Sequence, residues 1–382
     1  MRVAIITNVL PNYRQAFYER LVQHFGARLT IYCQSKMAGI NIKTSHHQFS
    51  NNVRLIRHIG LPHERLVWQF LPFRELLNRY DCYFFYGNPR VVSTVVVATM
   101  LRMMGRKVVI WGQYHAAGAS PILERVRLTW WRFFTHVFVY TDREAQVLRL
   151  RGGFDHHVLI GMNNGLDQNA VDGAASRWTD ERLSAWRHEN GLDGRVILLS
   201  CGRLDTSKKF DLMIEALSRI VDRCPQLVWC VVGDGEERTR LEQMARHAHI
   251  ERRIRWLGAV HDENALAPLF LSATLLVHPG AIGLTLLHAY GYGVPVVTHK
   301  NDKKHGPEIA ALVKDNESLR FLEDEAKDLA AKVIAAVESP DLLRRISDEA
   351  RLVARRKYNT DVMYDRFCQM VAAVQSPSND DR

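Results

Sequence analysis

The 382-residue sequence has no apolar run of the ~18–20 residues that a membrane-spanning helix needs. Its six cysteines show no Cys-x-x-Cys spacing, which argues against a zinc site or a disulfide framework and favours buried free thiols. The N-terminus starts directly with a strand pattern, Val3 to Thr7, and lacks the layout of a signal peptide. These absences predict a cytoplasmic protein.

Several functional patterns are also missing. No nucleophile triad or acid–base pair stands out, and the module patterns of nucleic-acid-binding proteins are absent. The turn Gly233-Asp234-Gly235 is not a complete dinucleotide fingerprint, because Arg238 stands where the third glycine is required. The sequence therefore gives no support to a dinucleotide-dependent enzyme, and nucleic acid is not an expected partner.

Positive charge is unevenly distributed. The formal net charge is +10, and residues 1–175 hold 21 Lys and Arg against 10 Asp and Glu, whereas the remainder holds 30 against 31. A basic N-terminal half suits an anionic membrane surface or a diphosphate-bearing substrate. It would also suit a basic nucleic-acid-binding protein, which is the weaker alternative because it leaves the loop with Arg203 and Lys208 unexplained. A solvated basic face without a partner is the simpler alternative.

Apolar runs of strand length alternate with helical patterns through two series, which predicts an α/β fold with parallel sheets covered on both faces. The expected domains are residues 1–172 and 193–358, joined by a linker at 173–192. A helix at 359–375 and a disordered tail at 376–382 follow. Ligands of such sheets collect at the carboxyl ends of the strands.

The run from His278 to Val297 is the most informative stretch. An apolar strand leads into Gly280 and Gly283, and a short helix follows from Leu284 to Tyr290. A glycine-bearing loop before a helix N-terminus can bind an anion, because free N–H groups and the helix dipole point at one place. An ordinary strand–loop–helix unit is the alternative.

This run resembles the donor-site signature of retaining glycosyltransferases of group 1 (family 4). The matching positions are Gly283, Leu284, Leu287, Ala289, Gly293, Pro295, Val296 and Val297. Gly280 and His288 stand where the family has two glutamates, which contact the donor sugar and the ribose hydroxyls. The resemblance implies the GT-B architecture, in which two Rossmann-like doubly wound domains face a central cleft and the last helix crosses back to the first domain.

A second motif follows the first strand of the C-terminal series. Gly202-Arg203-Leu204 leads to Lys208 and is similar to the family's diphosphate-binding segment, although Lys209 replaces its usual glycine. Two cations on a loop that enters a helix make a pyrophosphate clamp, with arginine bidentate and lysine a point charge. Two solvated loop cations are the alternative.

The resemblance extends to further residues of the donor site. Gly258 lies in the segment that faces the nucleobase, and Glu308 or His288 is expected to replace a contact of the missing glutamates. A helix-surface histidine is the other interpretation of His288. His305 is expected to add positive charge beside Glu308. The predicted donor-binding residues are Gly202, Gly233, Gly258, Gly280, Ala281, Ile282, Gly283, Leu284, His288 and Glu308.

Polar residues in the first half follow predicted strands. The acceptor or cleft residues are expected to be Asn8, Tyr13, Arg14 and Asn88. His115 resembles the cleft histidine that contacts the donor sugar in the family, and an exposed loop histidine is the alternative. His115, Arg203 and Lys208 form the expected catalytic group.

The stretch from Ile122 to Phe134 mixes aromatic residues with arginines at helical spacing. This pattern suits insertion at a membrane interface. A buried crossover helix with a basic outer face also explains the pattern, and we favour this interpretation.

The resemblance implies a retaining transferase with a nucleotide-diphosphate sugar as donor and no metal or other cofactor. The expected acceptor is a glycan or a lipid-linked glycan in cell-surface polysaccharide or lipopolysaccharide assembly, at the inner face of the membrane. A catalytically inactive or nucleotide-sugar-binding relative that kept the fold is the alternative.

Overall fold

The computed structural model describes residues 1–36, 44–61, 66–114, 120–151 and 153–376. The chain divides into two compact units. The first consists of Met1–Asp167 together with Thr360–Arg382, and the second is Gln168–Asn359.

The first unit is built on a parallel sheet whose strand order is β3-β2-β1-β6-β7-β8-β9. Strands β4 and β5 form a separate antiparallel pair, which the sequence did not indicate. The strands are β1 Val3–Ile6, β2 Leu29–Cys33, β3 Val53–Leu55, β4 His58–Leu61, β5 Leu66–Gln69, β6 Cys82–Tyr86, β7 Lys107–Gly112, β8 His136–Val139 and β9 Val158–Gly161. The helices are α1 Gln15–Phe25, α2 Phe73–Arg79, α3 Val92–Met103, α4 Pro121–Trp131 and α5 Asp142–Leu150.

The second unit contains a smaller parallel sheet with the order β12-β11-β10-β13-β14. Its strands are β10 Val196–Cys201, β11 Leu227–Val232, β12 Ile254–Gly258, β13 Leu275–His278 and β14 Val296–Thr298. Its helices are α6 Gln168–Ala175, α7 Asp180–Glu189, α8 Phe210–Ile220, α9 Arg238–His247, α10 Glu263–Ser272, α11 Leu284–Tyr292, α12 Ala326–Val337 and α13 Pro340–Lys357.

The last helix, α14 at Thr360–Gln375, returns to the first unit. Its Phe367 stacks on Phe84 of β6 with ring centroids 4.3 Å apart and meets the edge of Phe17 at 6.0 Å. Burial of such rings, together with their pairwise contacts, fixes the helix against the sheet.

The parallel α/β architecture confirms the fold predicted from the sequence. Strands β1 and β11 are buried along their whole length, because helices cover both faces of each sheet. Helix α5 begins with a capping box, in which the side chain of Thr141 accepts from the N–H of Glu144. The stretch 173–192, expected as a linker, contains the end of α6 and all of α7 and belongs to the second unit, which starts at Gln168.

Candidate functional site

Loops at the carboxyl edge of the second sheet form the candidate site. They follow β10, β11 and β13 and comprise residues 202–209, 233–237 and 279–283. Strand β10 lies between β11 and β13. The chain therefore adds β11 and β12 on one side of β10 and then crosses to add β13 and β14 on the other. Such a switch point, at the carboxyl ends of the strands, is where open α/β sheets bind ligands.

Glycines let the first two loops cross in backbone contact. A Cβ atom at Gly233 would lie 1.8 Å from the carbonyl oxygen of Gly202, and one at Gly235 would lie 2.3 Å from that of Leu204. The N–H of Leu204 donates to the carbonyl of Asp234 at 3.0 Å. Gly233 and Gly235 therefore serve to bring two main chains together, and Gly233 also donates to the carbonyl of Gly258 at 2.7 Å.

The two predicted phosphate-binding cations have different surroundings. Arg203 is exposed, and within the described part of the chain no hydrogen bond or ion pair is found for its guanidinium. Lys208 is half-buried, and its Nζ donates to the carbonyl of Ala281 at 2.7 Å. Burial lowers the pKa of Lys208, and the charge of Arg203 lowers it further. Lys208 thus ties two loops together, whereas Arg203 presents its charge to solvent.

Lys209, which replaces the family's usual glycine, adopts a backbone conformation typical of glycine. Its φ of 51° and ψ of 41° lie in the left-handed region, which a non-glycine residue rarely adopts. Its Nζ pairs with Glu323 at 3.2 Å and with Asp324. The side chain of Lys209 thus connects this turn to the loop that contains Glu323 and Asp324.

Gly280 explains why the first family glutamate is missing. A Cβ atom at this position would lie 2.1 Å from the carbonyl oxygen of Ser207 and 2.7 Å from the Cα of Lys208. The next N–H, that of Ala281, donates to the same Ser207 carbonyl at 3.0 Å. No side chain fits at residue 280 while residues 207 and 208 stay in this position.

Two buried histidines contact backbone atoms of the 279–283 loop. The Nδ1 of His278 lies 3.3 Å from the carbonyl of Gly280. His305 accepts from the N–H of Ile282 at 3.2 Å through Nδ1, and its Nε2 donates to the carbonyl of His299 at 2.9 Å. The rings of His299 and His305 stack with centroids 3.9 Å apart.

These histidines are neutral. Burial lowers the pKa of His278 to about 3, with a further contribution from Lys208. Burial and the neighbouring His305 lower the pKa of His299 to about 3. Burial also lowers the pKa of His305, so the prediction that it adds positive charge was wrong. Desolvation disfavours the charged imidazolium, and the accepting role of His305 requires a neutral ring.

Glu308 lies beneath the loop. Glu308 is only 5% exposed. Its Oε2 atom lies 3.5 Å from the position that a Cβ atom of Gly283 would occupy. The N–H of Gly306, close to the same carboxylate, donates to the carbonyl of Ile282 at 2.7 Å. This position suits a residue that holds the loop in place.

His288 forms a polar cluster with two residues. Its Nε2 donates to Oε1 of Glu263 at 2.8 Å, and the hydroxyl of Tyr292 donates to the same oxygen at 2.6 Å. The His288 side chain is only 14% exposed and packs on Phe270 with ring centroids 4.4 Å apart. His288 is therefore neither a surface histidine nor an unengaged ligand, and Glu263 is a residue that sequence reasoning missed.

The remaining predicted donor residues lie on the same loop. Ala281 contributes its carbonyl to Lys208, Ile282 is buried, and Leu284 begins α11. Gly283 precedes that helix and provides no side-chain cap. The loop thus has the geometry that the sequence predicted, and its role in binding a donor stays a prediction.

The predicted acceptor residues of the first unit are placed differently from one another. Tyr13 is 45% exposed, whereas Arg14 is buried, donates to Oδ1 of Asn164 at 2.9 Å and lies 4.8 Å over the ring of Tyr140. Asn88 accepts from the N–H of Arg90 at 3.1 Å, which shapes a turn. Tyr13 alone of these presents a largely exposed side chain.

Asn8 and His115 are the remaining predicted residues of the first half. The carbonyl of Asn8 accepts from the N–H of Gln34 at 2.7 Å, and its side chain lies 3.5 Å from that of Gln69. His115 lies outside the described residues. The roles of both stay predictions.

Helix α4 has a buried and an exposed face. Trp131 is fully buried, and its Nε1 donates to the carbonyl of Gly87 at 3.1 Å. Ile122 and Val126 are 75% and 51% exposed on the opposite side. The crossover interpretation is confirmed for the inner face, while the outer face keeps apolar side chains in solvent. Among the described residues, no helix is both long and apolar enough to cross a bilayer.

Comparison with known proteins places this site in a family. Residues 184–353 match the family model described as glycosyl transferases group 1. A GDP-mannose-dependent alpha-(1-6)-phosphatidylinositol dimannoside mannosyltransferase of Mycobacterium tuberculosis is 31% identical over 109 residues, which is 28% of each chain. The lipopolysaccharide core biosynthesis glycosyltransferase LpsE of Rhizobium meliloti is 23% identical over 46% of this chain and 50% of its own length. This chain therefore spans half or less of the length of these two relatives.

Solved structures share the fold over nearly the whole chain. HepE of Anabaena, solved in complex with UDP, has a TM-score of 0.73 at 18% identity and covers 98% of this chain and 100% of its own. Sucrose-phosphate synthase of Thermosynechococcus elongatus has a TM-score of 0.64 at 17% identity, with 98% and 99% coverage. The fold confirms two Rossmann-like domains of the GT-B type. Residues 184–353 thus resemble the group 1 glycosyl transferases, the family whose signature the sequence indicated.

Proposed function

We propose that this protein transfers a sugar from a nucleotide-diphosphate donor to a glycan or lipid-linked acceptor. The observation that carries the proposal is the pair formed by Arg203 and Lys208 at the carboxyl edge of the second sheet, beside the 279–283 loop. Sugar transfer releases a diphosphate, and preorganised cations and N–H groups stabilise the charge that develops on it. The relative named for GDP-mannose and a structural neighbour solved with UDP make these two nucleotides the first candidates.

The proposal includes two finer points that the family resemblance implies. The anomeric configuration of the sugar is retained in the product, and no metal ion is needed. NMR of the anomeric proton in the product tests the first point, and an unchanged rate in EDTA is the result expected for the second.

The assembly of a cell-surface polysaccharide or lipopolysaccharide is the proposed setting. LpsE of Rhizobium meliloti, named for lipopolysaccharide core biosynthesis, and the mycobacterial relative, named for a phosphatidylinositol dimannoside, support a lipid-linked glycan as acceptor. Incorporation of labelled sugar into lipid-linked glycans of a membrane extract is the assay that follows from this choice.

Substitutions of Arg203 and Lys208 distinguish an effect on nucleotide binding from an effect on folding stability. Arg203→Ala should weaken UDP or GDP binding by about 10- to 100-fold, because hydrogen bonds to charged groups contribute ~1.5–3 kcal/mol. Its melting temperature should not change, since the side chain is exposed. Lys208→Ala should weaken binding and lower the melting temperature as well, because the Ala281 contact is lost. Calorimetric titration and thermal unfolding measure both effects.

Arg219, an exposed arginine near the end of α8, provides the matched control. Arg219→Ala should leave nucleotide affinity unchanged. If Arg203→Ala behaves like this control, the diphosphate does not bind at residues 203–208 and the proposed site is wrong.

A nucleotide-sugar-binding relative without transferase activity is the second candidate. Gly280 and the engaged His288 favour it, because neither position can supply the family's carboxylate. Slow hydrolysis of UDP-glucose or GDP-mannose by the purified protein would support the transferase, whereas donor binding without hydrolysis or transfer would support the relative.

Peripheral membrane binding through the first unit is part of the proposal. Helices α3 and α4 are joined by a hydrogen bond from Trp130 to Thr99 at 3.1 Å and carry exposed apolar side chains. These are Val96, Met100 and Met103 on α3 with the adjacent Met104, and Ile122 and Val126 on α4 with the nearby Phe133. Apolar side chains beside arginines suit the interface of an anionic bilayer.

Substitutions on this apolar face test the membrane proposal. Met103→Glu and Ile122→Glu should each lower binding to phosphatidylglycerol-containing vesicles by roughly tenfold or more, because burying such a side chain contributes ~1.5–3 kcal/mol. Vesicle co-sedimentation measures the effect. Leu352→Glu, at a 49% exposed position of α13, is the control and should bind as the parent does. Equal binding by all variants would contradict this membrane contact.

A further inference from the structure

Glu263 is the first residue of α10, and two donors hold its carboxylate. Nε2 of His288 and the hydroxyl of Tyr292 both donate to Oε1, at 2.8 and 2.6 Å. Oε2 takes part in neither bond. The side chain is 29% exposed, so a carboxylate held by two hydrogen bonds still belongs to a side chain that reaches solvent.

The cluster keeps Glu263 ionised. Burial alone raises the pKa of this carboxyl group, but the hydrogen bonds from His288 and Tyr292 outweigh burial and hold the pKa below its usual value. Burial and the nearby carboxylate raise the pKa of Tyr292, so its hydroxyl remains a donor. At neutral pH, Oε2 is therefore a charged acceptor in a fixed position.

Helix α11 places this acceptor beside the diphosphate loop. Thr285 and His288 are three residues apart and lie on the same face of the helix. Oγ1 of Thr285 donates to the carbonyl of Cys201 at 3.3 Å, and Cys201 directly precedes Gly202 and Arg203.

We propose that Oε2 of Glu263 accepts a hydrogen bond from a ribose hydroxyl of the nucleoside diphosphate, with His288 and Tyr292 as positioning residues. This inference rests on the proposed function, because it assumes that the diphosphate binds at Arg203 and Lys208. A ribose is joined directly to the diphosphate, and its hydroxyls are donors that a fixed carboxylate recognises, as in other open α/β nucleotide sites. His288 cannot make this contact through Nε2, which Glu263 already occupies.

The test compares ribonucleotides with deoxyribonucleotides. UDP and GDP, with their 2′-deoxy and 3′-deoxy analogues, are titrated by calorimetry against the full chain. The parent protein should prefer the ribonucleotide over at least one deoxy analogue by about tenfold. E263Q should bind that ribonucleotide about tenfold more weakly and should bind the deoxy analogue as the parent does. E263D, which keeps the charge but withdraws the carboxylate by one carbon–carbon bond, should lose the preference in the same way.

Glu181 lies in the first turn of α7 and is exposed, so E181Q is the matched control and should keep the preference. A parent protein that prefers the ribonucleotide while E263Q and E263D retain that preference would overturn this inference alone. The same applies if E263Q weakens ribo- and deoxyribonucleotides equally, since that result indicates a structural role. If no nucleoside diphosphate binds the parent, both this inference and the proposed function fail.

Discussion

Gly280→Ala is expected to destabilise the second unit and to abolish tight nucleotide binding. The new methyl group would lie 2.1 Å from the carbonyl oxygen of Ser207 and within 2.7 Å of backbone atoms of Lys208. Backbone atoms cannot move aside as a flexible side chain can, so the two loops must separate. Overpacking of this kind destabilises by about 3 kcal/mol, which lowers the melting temperature of a unit of this size by roughly 6–12 °C.

Thermal unfolding and nucleotide titration measure the two consequences. Gly173→Ala in α6 is the matched control, because a Cβ atom there meets nothing within 4 Å and alanine favours a helix. This control should be neutral or slightly stabilising. A Gly280→Ala variant as stable as the control would show that the loops do not approach each other as described.

Gly280→Glu tests whether the family glutamate can be restored. Glutamate begins with the same Cβ atom, so it meets the same backbone. We expect Gly280→Glu to lose nucleotide binding and to gain no transferase activity. Glycine at position 280 is thus required by the backbone position of residues 207 and 208. Restoring the glutamate alone is therefore not expected to recreate the family's donor site.

The sequence predicted the sheets and the loops that carry the site, because both depend on local patterns. Buried apolar runs of strand length identified nearly every strand of the two large sheets, and the glycines around Arg203 and Gly280 marked the loops. The β4–β5 pair was missed, since residues 58–61 and 66–69 are short and only partly buried. Lys209 stands where the family has glycine, and the sequence does not reveal that it adopts the left-handed conformation typical of glycine.

The side chains that surround the candidate site are held by contacts between residues far apart in sequence, and local sequence patterns do not reveal such contacts. Glu263 and His288 are 25 residues apart and lie on different helices, and no local pattern links them. His305 looks in sequence like a cation beside two lysines, whereas in the fold it is buried against His299. Whether a histidine is charged is decided by its surroundings, and these become known only when the strands and loops are assembled.

The buried histidines His278, His299 and His305 predict that stability falls as the pH is lowered. In the unfolded chain each would titrate near pH 6.5, whereas the folded-state pKa of His278 and of His299 is about 3. Between these values the unfolded state binds more protons, so the free energy of unfolding decreases from about pH 7 downwards. At pH 5 the loss is on the order of 2 kcal/mol for each of these two histidines.

Neighbouring charges do not mask this effect in the chosen window. Lys208 and Arg320 carry positive charge towards the histidines and oppose their protonation. Burial alone raises the pKa of Glu323, but Lys304, Asn301 and Lys209 bond to it and lower the pKa to about 2, so its contribution is lost mainly below about pH 4.5. A decrease between pH 7.5 and pH 5 therefore reports on the histidines.

Urea unfolding of the second unit at pH 7.5, 6 and 5 measures the slope, and His299→Asn assigns it. The Nδ1 of His299 accepts from the N–H of Asn301 at 3.2 Å, and an asparagine oxygen can take the same bond without titrating. This variant should lose about half of the slope contributed by His278 and His299, because one of the two protons is no longer taken up. The exposed His261→Asn is the control and should keep the parent slope. A parent stability that is constant from pH 7.5 to pH 5 would contradict the neutral, buried state of these histidines and, with it, their support of the 279–283 loop.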